Sequence, residues 1–280
     1  MQRSHSIHVI PLNVLLCCRH GFIERLKSDM EKLQSKVSLP IKTDIAFKVE
    51  QEITKDIAET FCDTTEQARI EFNDEYFAKS EEDRLLILLH EFIHVKHLYN
   101  SLSSWHHKRI EYVEKLERRF QEILQSAPEE MLNKLDFWKQ FLPHVFGQLY
   151  EIWAELCLKE DYSEMFPKRM ELEYGNLLCV FREKKGQYQK GYGSRAKYPI
   201  FVELLRITYF PKIANEMKDI RRRFMVIQKE WKAELRKVVK EDEMKEFETL
   251  IDHLTDVSTY PDPTVLEERY FEFADKMVKN

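Results

Sequence analysis

RLLILLHEFIHV, residues 84–95, is the stretch on which the reading of this chain turns. It contains no glycine or proline, and Leu85, Leu88, Leu89, Phe92 and Val95 recur at three- and four-residue spacing, the period of a helix with one apolar face. On that helix His90 and His94 are four residues apart and share a face, so both imidazoles can turn toward one point. Glu91 lies about 100° around the axis from His90, close enough for its carboxylate to reach a water beside that point. A His-Glu-His cluster among apolar neighbours is costly to desolvate unless something satisfies it. HExxH is the pattern of a zinc site, with two imidazole ligands and a carboxylate placed to take a proton from water.

A tetrahedral site needs a third protein ligand. His97 is seven residues from His90, about 10 Å along a helix, too far for all three histidines to share an ion. The better candidate is Glu151 in YEIWAELCLKE, residues 150–160. Glu151 and Glu155 are four apart on one face, with the small Ala154 between them allowing another helix to approach. Glu151 is expected to ligate, and Glu155 to accept the remaining N–H of a ligand histidine. The bland alternative for Glu151 is a carboxylate on a solvated face, with Glu130 and Glu160 as weaker substitutes. His144 falls on the stripe of Glu151, two turns earlier, where it either donates a hydrogen bond to an oxyanion or simply packs. Tyr150, Tyr192 and Tyr209 are further possible donors. His97, His106 and His107 read as surface or packing residues.

HExxH followed on a later helix by ExxA[DE] resembles the gluzincin metallopeptidases. By that resemblance His90 and His94 are the ligand histidines, Glu91 the general base, Glu151 the ligand carboxylate and Glu155 the supporting acid. The order of segments is also similar to the compact minigluzincins and to ImmA/IrrE-type soluble peptidases. The likeness implies zinc as cofactor, a peptide or protein as substrate, and hydrolysis by a metal-activated water. It further implies that the strand ARIEFN, residues 68–73, has an edge on which an extended substrate can pair. The likeness covers about residues 40–160. It departs from the family in the two extra helices between His94 and Glu151, and nothing after 160 follows a pattern of that group.

Outward from this stretch the chain reads as α+β and predominantly helical. Only 6 glycines occur in 280 residues, which leaves few breakers. Val9–Leu16 is an apolar run of strand type, Ile23–Leu33 is amphipathic, and Ile41, Thr43, Ile45, Phe47 and Val49 alternate as in a strand. Residues 50–60 read as helical, and Ala68–Phe72 as a second short strand. Helices are expected over about 103–125, 129–141 and 143–160. Residues 186–199 hold three of the glycines and read as a loop, either a connector or a lid. Ile213, Met217, Ile220, Phe224, Ile227, Trp231, Leu235 and Val238 form a seam on one long helix over about 212–240, and a last helix covers about 265–278. These segments predict a zincin-like region with a small sheet over 1–160 and a helical bundle over 161–280. The seam closes within one chain or between two.

The net charge of -5 gives no general reason to expect nucleic acid or an anionic membrane as partner. The basic helix over 212–240, with Arg221-Arg222-Arg223, is a local exception to be weighed against an ordinary solvated face. Five cysteines without a CxxC spacing read as reduced thiols, and no segment approaches the ~20 apolar residues of a membrane span, so a cytoplasmic protein is expected. The N-terminal run is interrupted by His8, Pro11 and Asn13, which speaks against a secretory signal. The competing reading is a helical protein-interaction module whose metal site is structural or non-catalytic.

Overall fold

In the computed structural model, the described residues are 9–11, 20–34, 43–47, 57–62, 68–96, 118, 125, 151–184 and 197–256. They are mostly helical, with four short strands. By spatial contact the chain divides into two compact units, Met1–Lys108 and Arg109–Asn280.

The first unit holds β1 (Val9–Pro11), α1 (His20–Gln34), β2 (Thr43–Phe47), β3 (Ala58–Cys62), β4 (Ala68–Phe72), the short α2 (Asp74–Ala78) and α3 (81–96). The strands form one sheet in the order β1-β2-β4-β3. β2 is parallel to both β1 and β4, while β3 runs antiparallel to β4 with Thr60 opposite Ile70. Residues 58–60 are therefore strand, where the sequence reads as helix. Ala58 and Glu59 are good helix formers, but pairing with β4 overrides so weak a preference.

Capping decides where the helices start. The side chain of Asn73 accepts from the backbone N–H of Glu75 at 2.9 Å, opening α2 directly after β4. Ser80 Oγ accepts from the N–H of Asp83 at 3.1 Å and opens α3. From Leu86 to Val95 every residue of α3 is buried, so the helix meets protein on all sides rather than along one stripe. Its position is pinned by a buried ion pair: Arg84 Nε donates to Asp29 Oδ2 of α1 at 2.8 Å, and the Tyr76 hydroxyl donates to the same oxygen at 3.2 Å. Burial, reinforced by the charge of Asp29, pushes the Tyr76 phenol far above its ordinary range, so it stays a donor.

The second unit's described helices are α4 (151–161), α5 (Phe166–Lys184), α6 (Lys197–Ile213), α7 (Lys218–Leu235) and α8 (Glu241–Leu254). α7 packs against α5 and α6, and α8 against α6. The seam of α7 is Ile220, Phe224, Ile227, Trp231 and Leu235, all buried. Phe224 stacks on Phe210 with ring centroids 5.3 Å apart, and Trp231 meets Phe181 edge-on at 5.1 Å. The seam thus closes within this chain.

Two boundaries differ from the sequence reading. The long helix expected over 212–240 is broken at 214–217, leaving Ile213 at the end of α6 and Met217 in the connection. Pro211 removes a backbone donor in the last turn of α6, and Lys159 Nζ donates to the carbonyl of Ile213 at 2.9 Å, satisfying that helix end. The expected loop also ends earlier, because Pro199 lies in the first turn of α6, where its missing N–H costs nothing. Residues 186–196 and the helices expected over 103–125, 129–141 and 265–278 fall outside the described segments, apart from Arg118 and Gln125, which are helical. Among the described residues no helix is long and apolar enough to cross a membrane.

Candidate metal centre

α3 supplies the first half of the candidate site. His90, Glu91 and His94 are all nearly enclosed, at 4%, 6% and 6% exposure. The two imidazoles stand edge to face, 86° apart in plane, with ring centroids 4.6 Å apart. Their Nε2 atoms are 3.0 Å from each other. Two imidazole nitrogens at that distance either share one proton or aim two lone pairs at a common cation. Zinc–nitrogen bonds of about 2.0–2.1 Å in a tetrahedron separate two ligand nitrogens by about 3.3–3.4 Å. The pair therefore needs to open by only a few tenths of an ångström to hold such an ion.

Glu91 faces β3. Thr60 Oγ1 lies 2.5 Å from Glu91 Oε2, a hydroxyl donating to a carboxylate, and 3.4 Å from the backbone oxygen of Glu91. Nothing in the sequence singles out Thr60, because the segment around it carries the residues of a helix.

Glu151 and Glu155 sit in α4, Glu151 half-buried and Glu155 at 2% exposure. Glu155 Oε1 accepts from Arg169 Nε at 2.8 Å and from Arg169 Nη2 at 2.6 Å. Arg169 Nη2 also pairs with Glu173 Oε1 at 2.8 Å, and Glu173 Oε2 accepts from Arg206 Nη2 at 2.8 Å. A row of alternating charges thus runs from α4 through α5 to α6. Burial alone would lower the pKa of the Arg169 guanidinium, but Glu155 and Glu173 outweigh it and hold the group above its ordinary value, with Glu151 adding to the effect. The arginines are the functional-site neighbours that spacing could not reveal.

His90 and His94 of the first unit and Glu151 of the second are the group of side chains among the described residues that could hold a metal ion. No family model, curated protein or solved structure matches the chain. The likeness to gluzincins therefore rests on the residues themselves. Two nitrogens and one carboxylate oxygen, the nitrogens buried, make a donor set that suits zinc.

Three expectations change. β4, which carries ARIEF, is an inner strand, paired with β3 from Ala68 to Phe72 and with β2 at Ala68 and Arg69; among the described residues β3 is the outer strand on the same side of the sheet. Tyr209 is fully buried, and its hydroxyl donates to the backbone oxygen of Ile152, so it is committed to packing rather than to an oxyanion. Glu160 is exposed and is not in the group. His144, Tyr150 and Tyr192, together with His97, His106, His107 and Glu130, lie outside the described residues.

Proposed function

We propose that the chain is a zinc-dependent peptidase of the gluzincin kind, a helical protein with a small sheet, in which His90, His94 and Glu151 hold the ion. The observation that carries the reading is the buried pair of Nε2 atoms 3.0 Å apart, with the Glu91 carboxylate on the residue after His90. Zinc bound there would polarise a peptide carbonyl and make a water more acidic. Glu91 takes the proton of the attacking water and delivers it to the leaving amine. Glu155 steadies the ligand set from α4, its own carboxylate held by Arg169. The outer edge of β3 is the place for an extended substrate, paired by main-chain hydrogen bonds. A reducing, cytoplasmic setting suits the free thiols of Cys157 and Cys179.

Metal analysis tests the first part. The purified protein is expected to carry one zinc per chain, and His94→Ala and Glu151→Ala to lose it by more than the about 10–100-fold in affinity typical of supporting residues. A wild-type protein with no zinc after loading would remove the reading.

A second reading is favoured by one observation on α7. Lys218, Arg221, Arg222 and Lys229 are exposed and have no ion-pair partner among the described residues, and they surround Met225 and Val226, exposed at 50% and 55%. A cavity of about 550 Å³ opens beside them, with Lys212, Arg221 and Met225 but also Asp252 and Asp256 in its wall. Cations around an apolar centre suit an acidic protein segment with one apolar anchor better than a nucleic-acid backbone, which offers no match for Met225. Under this reading Arg221→Glu with Arg222→Glu abolishes capture of an acidic, leucine-containing peptide and leaves zinc content unchanged. Equal binding by the variant would dismiss it.

A further inference from the structure

The hydrogen bond between β3 and Glu91 ties the candidate base to the outermost strand of the sheet. Thr60 is half-buried, and its hydroxyl donates to Glu91. It has one proton to donate, and of its two neighbours on Glu91 the carboxylate oxygen at 2.5 Å is much the closer, the backbone oxygen at 3.4 Å lying beyond a good bond. The distance is at the short end of the range for hydroxyl-to-oxygen hydrogen bonds, about 2.5–3.0 Å. A carboxylate on a helix can rotate about its last torsion with little resistance. With Oε2 held by Thr60, that rotation stops and Oε1 is left as the oxygen to receive a proton.

We infer that Thr60 is a positioning residue for Glu91, orienting the carboxylate from the strand on which an extended peptide would pair. The inference rests on the peptidase reading and deepens it. Among the described residues β3 is paired with β4 on one side only, so a peptide adding to its other side would lie against the strand that fixes the base. Binding and proton transfer then share one mechanical element. A peptide that straightens β3 also sets Thr60, and through it the oxygen that acts on water. The assignment gives β3 a task beyond completing the sheet.

Thr60→Val removes the hydroxyl, keeps the shape and keeps a β-branched residue in the strand. The zinc-loaded variant is expected to keep its metal and its melting temperature. Its kcat on a peptide library should fall by about 10–100-fold, the scale of a misplaced catalytic group, with KM within about threefold of wild type. Thr60→Ser, which restores the donor, should bring kcat back to within about threefold of wild type. Thr60→Ala serves as a second variant, with the same expectation, if the valine disturbs the strand. Wild-type cleavage with an unchanged kcat in Thr60→Val overturns the positioning role and leaves the peptidase reading standing. So does a rise in KM alone, which would assign Thr60 to substrate pairing. A zinc-loaded wild type that cleaves nothing in the library overturns both.

Discussion

Glu91→Gln is expected to bind zinc as tightly as the wild-type chain while peptide cleavage falls by about 10²–10⁴-fold, the usual contribution of a positioned proton acceptor. The amide has nearly the shape of the carboxylate and can still accept from Thr60 Oγ1, so the contact between β3 and α3 persists. It cannot take a proton from water. Zinc content is measured by elemental analysis and cleavage on a peptide library, both on the same preparation. The separation between the two readouts is the informative result. A variant that loses metal and activity together would make Glu91 a structural member of the cluster, and one that cleaves like wild type would leave the alternative of an interaction module with a non-catalytic metal site.

Arg169→Met is expected to cost about 3–5 kcal/mol of folding stability, the penalty for removing one partner of a buried ion pair. Here the removed group serves two carboxylates, Glu155 and Glu173, each about 2% exposed. For a unit of this size the melting temperature should fall by about 10 °C. Chemical denaturation gives the free energy directly. Adding Glu155→Gln and Glu173→Gln should recover part of the loss, because the stranded charges go with them. Arg169→Met matching wild-type stability would mean that the row of charges is solvated in solution. Zinc affinity is a useful second readout, since the arginine holds Glu155 one turn from Glu151.

How much of this was legible in the residues depends on the range over which each feature is determined. The approach of His90 to His94 is local: four residues on one helix bring two side chains to the same face whatever surrounds them. β2 and β4 are legible too, because alternation at period two is a property of the segment itself. β3 is not, since Ala58 and Glu59 become strand only by pairing with β4, and with that segment misread Thr60 stays out of sight. The partner of Glu155 is illegible for a similar reason. Arg169 meets it across two packed helices, and no spacing rule links positions 155 and 169. The break between α6 and α7 falls at Ala214–Met217, which holds no glycine or proline. There a lysine from α4 satisfies the end of α6, a tertiary contact that a periodic seam cannot announce.

The enclosure of α3 also bears on how the first unit moves. Amides of a helix that fronts on solvent exchange their hydrogens through small local openings, whereas those of a helix walled in from Leu86 to Val95 exchange only when most of the surrounding unit lets go. His90, Glu91 and His94 thus belong to the slowest-exchanging backbone of that unit. Under the proposed peptidase reading, any motion that admits a substrate then falls outside α3, leaving these three side chains as the fixed floor against which it works.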